Sequence, residues 1–228
     1  MPLLTSDRDG WIRDEAGGHH GRVNEITTEA ELRDLLGEPS AAAAGKDRDR
    51  LHDLDREFLA ASPFCLIATS ATDGTCDVSP KGDPPGFALV LDSTTLAIPE
   101  RSGNRRADGY RNVLSNPQVG LIFLVPGRGD TLRINGRARL VGDAPYFDQM
   151  VVRRHRPVLA LEVQVEQVFF HCSKAFLRAH LWDPATWGKA DLPSRAVIAQ
   201  TLERPDTSLA DLETYYGPAY AAGLYPDS

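Results

Sequence analysis

The sequence lacks the features that mark membrane, secreted and nucleic-acid-binding proteins. No stretch approaches the roughly 20 continuous apolar residues that a transmembrane helix needs. The N-terminus has no apolar core of the kind found in signal peptides, so we expect the mature chain to start at Met1. The 25 basic and 32 acidic residues give a net charge of −7, which argues against a general nucleic-acid binder.

Cysteine is also scarce. Cys65, Cys76 and Cys172 are widely spaced and odd in number, and there is no Cys-x-x-Cys motif, so a disulfide framework is excluded and reduced thiols in the cytoplasm are expected. His171 and His180 lack partners at ligand spacing, and we expect no metal site. Cys172 beside His171 forms no catalytic dyad, because adjacent strand residues point to opposite faces. Dinucleotide-binding, P-loop and nucleophile-elbow motifs are missing.

What the chain does contain is a series of short apolar segments joined by turn residues. Its 228 residues, 42% of them hydrophobic, are enough for one domain with an extension. We predict strands at 64–70, 76–80, 87–91, 95–99, 119–125, 132–141 and 158–170. Closely spaced strands joined mostly by hairpins predict a mainly β, α+β fold built on an antiparallel barrel. Residues 1–62 and 188–228 are predicted to be helical extensions, and shorter helices are expected at 105–115, 145–154 and 171–182.

The segment between the fourth strand and the first internal helix carries a candidate anion site. Ser102 or Asn104 is suited to cap a helix whose first turn then contains Arg105 and Arg106. Cations are unfavourable at this positive helix end, so two arginines there indicate a bound anion such as a phosphate. The alternative is a solvated basic surface.

Two further segments are candidate ligand contacts. The strand that ends in Ser79-Pro-Lys81-Gly82 exposes backbone amides and one ammonium group, although a plain strand end with a surface lysine explains these residues better when they are taken alone. Arg133 and Asn135 share one face of a later strand, where they can hydrogen-bond a planar heterocycle or face water.

Five short motifs follow one another through the central part of the chain. They are Asp77-Val-Ser-Pro-Lys-Gly-Asp-Pro-Pro-Gly-Phe87, Leu96-Ala-Ile-Pro99, Gly103-Asn-Arg-Arg-Ala107, Asn116-Pro-Gln-Val-Gly-Leu-Ile-Phe123 and Leu132-Arg-Ile-Asn-Gly-Arg-Ala138. This ordered set resembles the pyridoxamine-phosphate-oxidase-like, FMN-binding split β-barrel family over about residues 64–187. It is most similar to a subgroup of uncharacterised members, and it implies that residues 63–187 form an FMN-binding domain.

The resemblance also implies a set of cofactor contacts in a homodimer that holds FMN at its interface. The family's phosphate-binding basic pair falls on Arg105 and Arg106, after the turn at Asn104. The other implied flavin contacts are Ser79, Pro80, Lys81 and Gly82 for the ribityl chain and ring, Ile98 and Pro99 on the next strand, and Thr131 and Arg133 at the ring. Thr131 replaces a glutamine of the vitamin B6 oxidase, whose C-terminal substrate-binding pair is not matched either, so pyridoxamine phosphate is not the expected substrate.

A helix capped by Ser173 adds Lys174 and Arg178 on one face. In a dimer these side chains would close over the partner's flavin, or they simply form a surface helix. The expected function is that of an FMN-dependent oxidoreductase acting on an unidentified small molecule, with Lys81 as the first candidate cation beside the flavin. The alternatives are a split-barrel protein that handles the deazaflavin F420 or haem, and a flavin-binding module without turnover. The sequence singles out no catalytic residue.

Overall fold

A computed structural model of the chain describes residues 5–6, 11–13, 19–188 and 191–225. The chain divides into two compact units, residues 1–45 and residues 46–228. The first unit contains three short antiparallel strands, β1 (Thr5–Ser6), β2 (Trp11–Arg13) and β3 (His19–Arg22), followed by helices α1 (Glu29–Leu36) and α2 (Ala41–Ala44). The prediction of helix therefore does not hold at β1, β2 and β3, and the helices of this unit begin at Glu29.

The second unit is built on seven antiparallel strands and six helices within the described residues. The strands are β4 (Phe64–Ser70), β5 (Cys76–Gly82), β6 (Leu89–Val90), β7 (Thr95–Glu100), β8 (Gln118–Leu124), β9 (Thr131–Val141) and β10 (Leu159–His171). The helices are α3 (Asp53–Ala61), α4 (Asp108–Ser115), α5 (Lys174–Ala179), α6 (Arg195–Leu202), α7 (Leu209–Tyr215) and α8 (Pro218–Ala222), with 3-10 turns at Pro145–Met150 and Pro184–Thr186.

The seven strands form one sheet in the order β5-β4-β8-β9-β10-β7-β6. Residues from five of these strands are buried in a single hydrophobic core, including Ile67 on β4, Phe123 on β8 and Val163 on β10. Because strands near both ends of the sheet contribute to one core, the sheet curves around it, while β5 and β6 remain as separate edges. The predicted antiparallel split barrel is confirmed, and every strand predicted in the barrel is present.

Residues 46–62 pack with the barrel, although the sequence pattern placed them in the N-terminal extension. Phe58 and Leu59 on α3 are buried in the same core cluster as the strands. The carboxylate of Asp55 is fully buried and accepts two hydrogen bonds from the guanidinium group of Arg48. These contacts make α3 part of the barrel unit.

Three predicted helices differ from the structure in their ends. The helix predicted from Arg105 begins only at Asp108, since Ala107 before it has a left-handed backbone (φ 57°) and makes no side-chain cap. The predicted helix at 145–154 is a 3-10 turn that ends at Met150. Ser173 lies at the start of α5, but its side chain makes no capping hydrogen bond.

Within its described part, the C-terminal tail contains the helices α6, α7 and α8. Helices α6 and α7 bury Ala196, Ala199 and Leu212 in a small cluster of their own. Beyond α8, the hydroxyl of Tyr225 donates to the carboxylate of Asp83, which follows β5. In the described part of the chain, no helix has the length and apolar character needed to cross a membrane.

Candidate functional site

A cavity of about 490 Å³ opens between the inner face of β4 and β5, the start of α4 and the loop that follows β7. Along β5, every second residue from Asp77 through Ser79 to Lys81 lines it, because side chains alternate across a strand. Val113, Leu159 and Leu161 supply an apolar wall. Cavities of this size and mixed lining are typical of small-molecule and cofactor sites.

The loop 101–107 carries unusual backbone conformations into this cavity. Arg105 and Ala107 have positive φ values of 61° and 57°, whereas Asn104 and Arg106 do not. Alternation of this kind turns successive backbone N–H groups toward one side, as in anion-binding nests. Among the described residues, the N–H groups of Arg105 and Ala107 have no acceptor, and that of Arg106 donates to Oδ1 of Asn104 at 3.0 Å. The loop therefore offers hydrogen-bond donors to an anion.

The two arginine side chains of this loop are exposed and differently engaged. Nε of Arg106 donates to Oδ2 of Asp108 at 2.7 Å, which raises the pKa of the guanidinium group. The rest of that guanidinium group has no protein partner within the described residues. Arg105 makes no ion pair in the described part of the chain. Both side chains can bind an anion in the fork geometry that phosphate oxygens favour.

Arg101 lines the same cavity, but each nitrogen of its guanidinium group already donates to a protein acceptor. Its Nε donates to Asp83 at 2.6 Å, and its two terminal nitrogens donate to the carbonyl oxygens of His155 (3.1 Å) and Met150 (2.6 Å). Tyr225 donates to the other oxygen of Asp83. Arg101 therefore fixes the cavity rim to the 150–155 turn and to the chain's C-terminal part.

Lys81 lines the cavity and forms a cluster with an acidic and an aromatic residue. Its ammonium group is 2.5 Å from Oε2 of Glu100 and 4.8 Å from the centroid of the Tyr110 ring. The Tyr110 hydroxyl donates to the same carboxylate oxygen. Burial and the neighbouring Glu100 raise the pKa of Tyr110, so the hydroxyl stays protonated. The predicted cation is present at the site, but a carboxylate compensates its charge.

A row of polar side chains on β4, β5 and α4, here called the polar seam, lies where the start of α4 packs against the strands. Ser79 donates to Asp77 at 3.0 Å, and Asn112 donates to Thr69 at 3.0 Å. Gly109 lets the helix approach this seam, since a Cβ there would lie 3.2 Å from Oδ2 of Asp77. The seam sets the position of the loop 101–107, which leads into the helix.

The structure brings several of the predicted site residues together. Ser79, Lys81, Asn104, Arg105 and Arg106 line the large cavity. An adjoining cavity of about 320 Å³ shares some of these residues and adds other predicted ones, namely Pro80, Gly82 and Pro99.

The remaining predicted residues line neither cavity. The side chain of Ile98 faces the hydrophobic core, because it lies on the inward side of β7. Thr131 is buried, and its hydroxyl has no hydrogen-bond partner among the described residues. Arg133 places its guanidinium group over the Phe169 ring, 5.0 Å from the centroid. Lys174 and Arg178 lie exposed on α5. Within one subunit these residues are not part of the site.

Sequence reasoning missed the acidic and aromatic residues of the cavity. Asp77 was detectable, since it lies two positions before Ser79 and therefore on the same face of β5. Glu100 at the end of β7 and Tyr110 on α4 are brought together by the tertiary fold, where the Tyr110 hydroxyl donates to the carboxylate, and no local pattern marks either residue.

Residues 51–172, more than half of the chain, match the family model described as "Pyridoxamine 5'-phosphate oxidase". Among the curated proteins, none matches the chain.

Similar solved structures include HupZ from Group A Streptococcus, with 17% identity over 54% of this chain and 95% of that chain and a TM-score of 0.44. A candidate pyridoxamine 5'-phosphate oxidase from Lactobacillus delbrueckii has 23% identity over 54% and 98% of the two chains, with a TM-score of 0.43. A protein of Clostridium acetobutylicum related to general stress protein 26 has 13% identity over 53% and 87%, with a TM-score of 0.40.

Proposed function

Because this chain belongs to the pyridoxamine 5'-phosphate oxidase family, we propose that it binds FMN and works as an FMN-dependent oxidoreductase on a small molecule. The observation that carries the proposal is the loop 101–107, in which Arg105 and Arg106 line a cavity of about 490 Å³ and the amides of Arg105 and Ala107 have no acceptor among the described residues. FMN differs from riboflavin by a terminal phosphate, and this loop is the part of the cavity suited to that group.

The residues of the loop fit a phosphate in both charge and geometry. A phosphate monoester carries between one and a half and two negative charges at neutral pH, roughly, and accepts several hydrogen bonds. Arg105 and the free end of Arg106 supply charged donors, and the amides of Arg105 and Ala107 supply neutral ones. The exposed position of the arginines leaves room for an incoming ligand.

The rest of the cavity suits the remainder of the cofactor. FMN supplies the electron transfer when bound, and the protein supplies binding and electrostatics. Ser79 offers a hydroxyl for the sugar-alcohol chain, and Leu159 and Leu161 shield the cavity from water on one side. Lys81 is the cation best placed to stabilise negative charge that develops on a reduced flavin.

We also propose that the protein is a homodimer. Arg133, Lys174 and Arg178 lie outside the cavities of their own subunit, so any contact that they make with FMN has to be with the partner's cofactor. Val158 supports this arrangement, since it lines the large cavity while 71% of its surface is exposed. An apolar side chain at a cavity mouth is a position that a second subunit or a ligand would cover. The cytoplasm, a reducing compartment, fits the free cysteines.

The absorbance spectrum of the purified protein, with mass analysis of whatever heat releases, tests the cofactor assignment. We expect the two visible bands of a flavin and the mass of FMN. A single deazaflavin band would assign F420 instead, and a Soret band would assign haem. Bound FMN that neither NAD(P)H nor candidate substrates reduce would assign a binding module without turnover.

A further inference from the structure

The ion pair between Lys81 and Glu100 lies at the boundary of the two cavities. Nζ of Lys81 is 2.5 Å from Oε2 of Glu100, and only 19% and 22% of the two side chains are exposed. Both residues line the larger cavity and the smaller one. A ligand in either cavity therefore lies beside this pair. The balance between the positive charge of Lys81 and the negative charge of Glu100 acts on ligands in both cavities.

Tyr110 holds the pair from the side of α4. Its hydroxyl donates to the carboxylate oxygen that also accepts from Lys81, and its ring faces the ammonium group. The carboxylate oxygen is thus fixed by two donors, and the ammonium group is fixed by a carboxylate and an aromatic face. This arrangement leaves Lys81 little freedom to move toward a ligand alone.

We propose that Glu100 is a positioning residue, oriented by Tyr110, that holds Lys81 at the cavity boundary and offsets its charge. The consequence, which rests on the proposed FMN function, is that Glu100 sets how strongly the site favours reduced FMN over oxidised FMN. Reduction adds negative charge to the flavin, and an uncompensated ammonium group nearby stabilises that charge. A carboxylate bonded to the ammonium group weakens the effect, because the two opposite charges lie close together.

The variant Glu100→Gln tests this role, because it keeps the shape and an acceptor for Tyr110 but removes the negative charge. We expect the affinity for reduced FMN, relative to oxidised FMN, to rise about tenfold. That ratio appears as a two-electron midpoint potential about 30 mV more positive. Lys81→Met should shift the potential in the opposite direction, and the double variant should return close to the wild-type value, since the two charges cancel.

The chain contains a matched control. Glu162 also accepts from a cation and a tyrosine, Arg139 at 2.7 Å and Tyr146 at 3.1 Å, but it lines neither cavity. Glu162→Gln should leave the potential unchanged. Tyr110→Phe keeps the ring and removes only the donor to Glu100, so we expect a smaller positive shift than in Glu100→Gln.

The outcomes separate this proposal from the proposed function. If the wild-type protein takes up no FMN in a titration, the proposed function fails and this proposal fails with it. If FMN binds but Glu100→Gln leaves the potential at the wild-type value, only the positioning role is overturned. A Tyr110→Phe potential equal to wild type would remove Tyr110 from the arrangement. Equal shifts in Glu100→Gln and Glu162→Gln would assign the effect to general destabilisation.

Discussion

Arg101 and the pair Arg105–Arg106 lie in one loop and line one cavity, yet the fold uses them differently. Each guanidinium nitrogen of Arg101 donates to a protein acceptor, and the Asp83 carboxylate that it meets is almost completely buried. Arg106 has a single carboxylate partner and is mostly exposed, and Arg105 has none among the described residues. The comparison shows that an arginine with a complete set of buried acceptors is structural, whereas exposed arginines on a strained turn are available to a ligand.

Replacement of the exposed pair should have the largest effect on binding. In the double variant Arg105→Ala/Arg106→Ala, we expect FMN affinity to fall about a hundredfold, because each charge-assisted contact to phosphate contributes roughly tenfold. The melting temperature should not change, since neither side chain is buried. Fluorescence titration with FMN measures the affinity.

The pair Arg153–Arg154 provides the control for that variant. These adjacent arginines also have positive φ values, 46° and 70°, but they line neither cavity. Arg153→Ala/Arg154→Ala should bind FMN as the wild type does. An equal loss of affinity in both double variants would show that total positive charge, rather than the loop 101–107, attracts FMN.

Loss of Arg101 should affect stability instead. Arg101→Ala leaves the buried Asp83 carboxylate without its cation, and breaking a buried pair in this way costs about 3 kcal/mol. We expect a lower midpoint in urea denaturation. A variant as stable as the wild type that fails to bind FMN would reverse the roles assigned to Arg101 and Arg106.

Release of Arg106 from its carboxylate partner should have the smallest effect. Asp108→Asn removes an exposed ion pair, so the melting temperature should change by about 2 °C or less. FMN should bind a few-fold more tightly, since Asp108 no longer competes with phosphate for the guanidinium group. Weaker binding in the titration would mean that Asp108 orients Arg106 for the ligand.

The barrel was predictable because its strands carry their own signals. The short apolar run of β4 and turn residues such as Asp73-Gly74 indicate a strand and a hairpin from local sequence alone. The Arg105–Arg106 pair was recognisable in the same way, as two cations beside a turn.

The parts that the sequence did not predict depend on tertiary contacts. Asn104 is a good helix cap, and the helix was expected to follow it directly. Instead, α4 begins three residues later, where Asn112 donates to Thr69 and Gly109 lies close against Asp77, and Arg105 and Ala107 take up left-handed conformations in between. The pairing of Glu100 with Lys81 likewise joins β7 and β5, two strands that are not neighbours in the sheet.

The affinity of the cofactor-free protein for FMN, compared with its affinity for riboflavin, tests whether the loop 101–107 binds a phosphate group. The two ligands share the ring and differ in the phosphate. We expect the protein to bind FMN about a hundredfold more tightly than riboflavin, and we expect Arg105→Ala/Arg106→Ala to remove most of this difference. Equal affinities of the wild-type protein for FMN and riboflavin would contradict a phosphate site in the loop 101–107.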